Sequence, residues 1–328
     1  MIARRGLLGL ACASTAPVRA QAPTRWDVAL PWGATEFHTV NAGRFANEVR
    51  AATNGAVQMT IHAGGSLGVR VNETVRALGD GVVPMAEFAG FLNVGDVPLM
   101  GIESIPFLVG NPDELRVLHA IARPAWEREL ERRSVVVLYM VPWPQQIFFV
   151  KRQVATVADL RGVRMRTNDR TTTEMAQRLG MVPQQLASTD IVAALASNRI
   201  DGVMTSATTA LAQRYQDFLR YGHTTNHIWV TNAMAVSGDA WRRLPAPTRT
   251  TIADLAKRLE PEFWEVAKAE HDARSADLRA AGMTVEDASL ALVQAMRDAT
   301  AGMAEEFART VPAAAPLIRE FRQRVGRA

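Results

Sequence analysis

Arg164, Arg166 and Asn168 recur at alternate positions in the stretch from Asp159 to Ser206, and their chemistry is the most pointed in the chain. In a short strand, alternate side chains leave by one face. A guanidinium presents a planar fork of donors that matches a carboxylate, and the pairing strengthens where water is excluded. Arg166 and Asn168 fall where this strand ends, whereas Arg164 lies earlier and is expected to serve structure. Thr205 and Ser206 fall at the end of a later strand, Gly202 to Met204, where they either line the same space or cap a helix. Asn168 has the same two options, as a ligand donor or as a turn cap. Phe88, Trp143 and Trp229 are expected to wall the pocket, with Gln145 adding an amide beside Trp143. The layout reads as a pocket for a small organic anion.

Catalytic patterns are weak by comparison. His38, His62, His119, His223, His227 and His271 show no compact metal spacing, and Cys12 is the sole cysteine. Glu36, Glu73, Glu87 and Glu103 show no paired acid and base, and no G-x-S-x-G elbow occurs. The loop from Ala63 to Gly68 precedes a helix but lacks dinucleotide spacing and a phosphate-binding lysine. Binding without catalysis, cofactor or metal is the expectation. A periplasmic enzyme and a sensory binding module are its rivals.

The elements that must position these residues alternate at a regular pitch. The strand bearing Arg166 is followed by a helix over 171–179, a strand over 181–185, a helix over 190–197 and the strand from Gly202. That order predicts a parallel sheet covered by helices, with ligands at the carboxyl ends of its strands. Before it come strands over 25–30, 57–62, 81–89 and 135–141, and a long helix over 113–133. Pro142-Trp143-Pro144-Gln145-Gln146 breaks the pattern and predicts a crossing between domains; the extended run 228–236 predicts the return. Helices are expected over 248–281, 290–307 and 318–325.

A chain of 328 residues exceeds one comfortable core, so two domains are expected. Residues 1–20 read as an export signal: Arg4 and Arg5, an apolar run, then Val18-Arg19-Ala20. The formal charge of +4 includes Arg4, Arg5 and Arg19; without them 34 basic groups face 33 acidic ones. The high pI therefore gives no reason to invoke nucleic acid or a membrane surface. No later run approaches the roughly 18 apolar residues of a membrane span.

TNGAVQMTIHAGGSLG at 53–68, VATVADLRGVRMRT at 154–167, RLGMVPQQL at 178–186, ALASNRIDGVMTS at 194–206 and AVSGDAWRRLP at 235–245 together form a wider pattern. In order and spacing the chain resembles the periplasmic solute-binding proteins of tripartite ATP-independent periplasmic (TRAP) transporters, C4-dicarboxylate-binding type. The resemblance implies an α/β protein of two lobes with mixed sheets, a central cleft and a long late helix bridging the lobes. It implies a carboxylate anchor at Arg166, and Trp143, Asn168, Thr205, Trp229 and Asn232 in regions that line the cleft. The implied partners are a small organic acid and the small and large membrane subunits of the transporter, with the protein a periplasmic monomer. The expected partition is 24–142 plus 231–270 for one lobe and 143–230 plus 271–328 for the other. Sialic-acid-binding members carry a further arginine where this chain has PWPQQ, so that specificity is not expected. One arginine among aromatic residues favours a monocarboxylate with an apolar or aromatic tail; a polar hydroxy or keto acid, or a dicarboxylate, is the alternative.

Overall fold

The computed structural model describes residues 22 to 327, so the expected export signal lies outside the described residues. The chain runs β1 (Thr24–Ala29), α1 (Phe37–Ala52), β2 (Val57–His62), α2 (Thr74–Gly79), β3 (Met85–Ala89), α3 (Pro112–Glu131) and β4 (Val135–Pro142). After the proline break come β5 (Gln146–Val150), β6 (Arg164–Thr167), α4 (Arg170–Arg178), β7 (Val182–Gln185), α5 (Ile191–Ala196), β8 (Gly202–Ser206), α6 (Ala207–Ala212) and β9 (Tyr221–Thr224). Then follow β10 (Thr231–Ser237), α7 (Gly238–Arg242), α8 (Ala246–Ala280), β11 (Thr284–Asp287), α9 (Leu290–Ala299), α10 (Met303–Thr310) and α11 (Ala314–Arg324).

These strands make two mixed sheets flanked by helices. The first has the order β2-β1-β3-β10-β4, and β10 runs against both of its neighbours. The all-buried strand β3 shows how its two faces differ. Met85 and Ala89 join Phe37, Phe45 and Phe263 of α1 and α8, while Ala86 and Phe88 join Leu118 and Trp126 of α3. Period-two alternation therefore sends Glu87 to the α1–α8 side and Phe88 to the α3 side.

The second sheet has the order β11-β9-β5-β8-β6-β7. The β6–β7 and β6–β8 pairs are parallel, as the alternating sequence predicts. The sheet as a whole is not parallel, because β5 enters from the crossing and runs against β8 and β9. Strand β11 was not anticipated. The helix expected over 290–307 is divided by Gly302, whose φ of 85° suits glycine in the left-handed region. That break redirects the chain. Leu292 and Met296 of α9 pack under the second sheet, whereas Ala304, Ala314, Ile318 and Phe321 join the α3 side of the first. We propose on this packing that residues 303–325 belong with the first lobe, not with 271–328 in the second.

Helix α8 bridges the two lobes. Ile252, Leu259 and Phe263 bury against the first sheet, and Leu278 buries under the second. It also closes an exposed strand edge. Strand β4 ends the first sheet, leaving Met140 without a strand on its outer side. The Met140 amide donates to Glu260 Oε2 at 3.1 Å, and its carbonyl accepts from the Trp264 indole N–H at 2.8 Å. Side chains thus replace the missing neighbour, which satisfies buried backbone and removes a template for edge pairing.

Arg164 performs the structural task expected of it. Its Nε and Nη2 each meet a carboxylate oxygen of Asp201 at 2.7 Å, locking the start of β6 to the turn before β8. The guanidinium and the backbone N–H of Arg164 hold the Asp201 carboxyl down to about 2.

Two measurements follow from this packing. Trp264→Ala should lower stability by about 3–5 kcal/mol in urea titration, whereas Trp264→Phe keeps most of the packing and should lose about 1–3 kcal/mol through the unpaired Met140 carbonyl. Asp201 has a folded-state pKa below its unfolded one, so its pairing stabilises fully above about pH 4 and fades as pH falls toward 2. Arg164→Gln should therefore shift the acid-unfolding midpoint upward, while costing only about 0.5–1 kcal/mol at pH 7 because the pair is partly exposed. An unchanged acid midpoint would remove Asp201 from the account.

Candidate functional site

The Arg166 guanidinium is fixed by three protein acceptors that carry no charge. Its Nε donates to the Leu186 carbonyl at 3.1 Å, and Nη1 donates to the Asn168 side-chain oxygen and to the Met204 carbonyl, the latter at 3.4 Å. These acceptors come from the ends of β6, β7 and β8, which the parallel pairing brings level. Among the described residues Arg166 makes no salt bridge, whereas Arg164 two positions earlier does. Burial pushes the guanidinium below its ordinary value, opposed by Tyr215 and Asp169. Asp169 itself is buried and caps α4, accepting from the Thr172 amide at 2.8 Å. Desolvation raises its carboxyl, against the Thr172 and Ser104 hydroxyls and Arg166.

Other expected residues divide between positions near Arg166 and scaffold positions. Asn168 orients Arg166 through its side-chain oxygen. Thr205 follows Met204, whose carbonyl Arg166 contacts. Ser206 is an N-cap, accepting from the Thr209 amide at 3.4 Å. Gln145 is half-buried in the crossing segment. That crossing is a paired ribbon: the Trp143 amide donates to the Val230 carbonyl at 2.9 Å, and the Thr225 and Asn226 amides both donate to the Gln146 carbonyl at 3.1 Å.

The three aromatic residues expected to surround the guanidinium do not form one wall. Phe88 is fully buried and Trp229 is 4% exposed, both within the core on the α3 side of the first sheet. Trp143 lies with the opposite cluster, edge-on to Trp32 at 4.9 Å and to Phe37 at 5.8 Å. Its indole N–H donates to Asn232 Oδ1 at 2.8 Å, and Asn232 Nδ2 donates to Glu87 Oε1 at 2.7 Å. Trp143 and Asn232 are thus brought together, with a carboxylate behind them.

That carboxylate is what sequence reasoning passed over. Glu87, Glu36 and His38 gather on the α1 side of the first sheet, with His38 Nδ1 2.8 Å from Glu87 Oε1. Glu36 precedes α1 and accepts from the Gly33 amide at 3.1 Å. Burial raises its carboxyl, and Glu87 adds to the rise. Across the crossing, burial raises the Tyr215 phenol well above its ordinary value, with Arg166 opposing and Glu36 adding. Tyr215 therefore senses a cation from the second lobe and an anion from the first. The available signal was the single charge in MAEFA, a strand otherwise wholly apolar.

Residues 31–310 match the family model DctP, bacterial extracellular solute-binding protein, family 7. The chain is 26% identical over 250 residues to the C4-dicarboxylate-binding periplasmic protein DctP of Rhodobacter capsulatus, covering 74% of each. Among solved structures it is similar to DctP7 of Bordetella pertussis, an extracytoplasmic solute receptor binding pyroglutamic acid, with 28% identity, a TM-score of 0.87, and coverage of 91% of this chain and 99% of that one. A TRAP solute-binding protein from a marine metagenome, in complex with co-purified pyroglutamate, gives 26% identity, a TM-score of 0.85, and coverage of 92% and 99%. With a two-lobed fold, a bridging helix and a match across most of its length, the chain belongs to the DctP family of bacterial extracellular solute-binding proteins.

Proposed function

We propose that the protein captures a small organic acid in the periplasm through Arg166 and hands it, chemically unchanged, to the membrane subunits of a TRAP transporter. The family supports capture and delivery as the general task. The observation that carries the reading is a desolvated guanidinium with no ion pair among the described residues and its orientation already fixed by Leu186, Asn168 and Met204. A bound carboxylate supplies the missing counter-charge and accepts from Nη2, the guanidinium nitrogen without a protein acceptor among the described residues. Because the anchor lies in the second lobe and Trp143, Asn232 and Glu36 lie toward the first, an acid touching both favours closure by contacts absent when the lobes part.

The remainder of the acid is polar in this reading. Phe88 and Trp229 are committed to the core, which removes two of the three aromatic surfaces expected to hold an apolar tail. Similar proteins that bind pyroglutamate carry the same fold, which supports a compact acid bearing hydroxyl, keto or lactam groups. Trp143 remains as one flat surface beside those groups.

Calorimetric titration with a panel of pyroglutamate, hydroxy acids, keto acids, uronates, dicarboxylates and aromatic acids should find one-to-one binding with no product after long incubation. Arg166→Ala should weaken the best acid by about 2–5 kcal/mol, or roughly 30-fold to several thousand-fold. The unliganded protein should stay folded, because Arg166 is half-buried and makes no salt bridge among the described residues. Arg166→Lys should recover only part of the affinity, lacking the planar fork. Wild-type affinity in folded Arg166→Ala would reject the anchor, and conversion of the acid would replace transport with catalysis.

A further inference from the structure

The α1 side of the first sheet holds polar groups that the carboxylate anchor does not use. Three nitrogens converge on one oxygen of Glu87: Asn232 Nδ2 and the Trp32 indole N–H donate to it at 2.7 and 3.2 Å, and His38 Nδ1 stands 2.8 Å away. The second oxygen, Oε2, is buried without a hydrogen-bond partner among the described residues, and so are His38 Nε2 and Glu36 Oε2. Glu87 and His38 are each 1% exposed. A carboxylate oxygen only accepts hydrogen bonds, so the open position on Glu87 calls for a donor. A buried acceptor left unmatched is destabilising, so the cluster is complete only when a donor is brought to it.

A small cavity adjoins the cluster. Glu87 lines it together with Leu30, Pro31, Gly65 and Thr74, at the carboxyl ends of β1 and β2, where ligands of such sheets sit. Asn232 joins Glu87 to Trp143, and three residues on Gln146 pairs with Ser206 at the carboxyl end of β8, the strand whose Met204 carbonyl accepts from Arg166. A short run of chain thus connects the acidic cluster to the strand ends that hold the cation.

We infer that Glu87, positioned by His38, Asn232 and Trp32, is an acceptor subsite that takes a hydrogen-bond donor, an amide N–H or a hydroxyl, on the acid whose carboxylate Arg166 holds, and that it excludes a second carboxylate. The inference rests on the Arg166 reading above and adds the class of acid: a donor-bearing monocarboxylate. A second carboxylate there would meet Glu87 and Glu36 at short range in a water-poor site, where like charges repel strongly. A purely structural Glu87, holding Asn232 under Trp143, would affect stability but not discriminate among ligands.

Matched acids separate these roles. Titration of the folded wild-type protein should favour pyroglutamate over its lactone counterpart, in which a ring oxygen replaces the N–H, by about 100-fold or more. Malate and succinate should bind more weakly than the best donor-bearing monocarboxylate. Glu87→Gln keeps a carbonyl for the three nitrogens and places an NH2 where Oε2 stood, so it should collapse the lactam-to-lactone ratio toward one. The inference is overturned if the wild type binds lactam and lactone equally, if its tightest acid is a dicarboxylate or lacks a donor beyond its carboxyl, or if the ratio survives in folded Glu87→Gln. The wild-type comparison decides the matter even where that variant does not fold. Acids bound through Arg166 without donor preference would sink this inference alone; no acid bound by folded protein would sink both readings.

Discussion

A guanidinium taken out of water without a counter-ion is unstable unless its surroundings replace the lost hydration. Around Arg166 two backbone carbonyls and one side-chain amide do this, and they are supplied by three strands at once. The requirement that Leu186, Met204 and Asn168 converge on one cation fixes the register of β6 between β7 and β8. Arg164 secures the other end of the same strand by its pair with Asp201. One strand therefore carries two arginines with opposite fates. The first is paired directly with a carboxylate, and the second makes no salt bridge among the described residues.

The first lobe presents the complementary arrangement, and the connection between lobes is built to keep the two in register. Glu103 is buried beside the returning segment, where its carboxylate accepts from the Thr231 amide at 3.0 Å, from the Thr231 hydroxyl at 2.9 Å and from His119 at 2.7 Å. The start of β10 is pinned in this way immediately after the crossing ribbon. Asn232, the next residue, reaches both Trp143 and Glu87. A movement of the ribbon is therefore felt at the acidic cluster through a single side chain. Charged groups held by several hydrogen bonds resist such displacement more than neutral ones do.

Much of this was readable from sequence where local rules act alone. The alternation of Arg164 and Arg166, the proline break at 142–146 and the long apolar stripe of α8 each depend on short-range periodicity. The missing parts depend on long-range phase. Whether Glu87 or Phe88 faces the ligand side changes with a one-residue shift, and MAEFA is too apolar around its one charge to reveal the phase. Trp229 belongs to the α3 side because the chain has already turned at Asn226, whose φ of 49° no apolar pattern announces. Similarly, 290–307 has continuous helical periodicity, and only the packing of Ala304 against the first lobe makes Gly302 a turn instead of an interior glycine.

The return of α10 and α11 to α3 bears on the order in which the molecule can assemble. The first sheet needs β10 to join β3 to β4, and its α3 face needs Ala314, Ile318 and Phe321 to be covered. Its N-terminal strands are made first, yet its centre arrives after residue 230 and its last cover arrives within the final fifteen residues. Contacts of such long sequence separation are slow to form, since loop closure precedes the gain from packing. A chain synthesised from its amino end thus remains without a finished first lobe until nearly all of it is present.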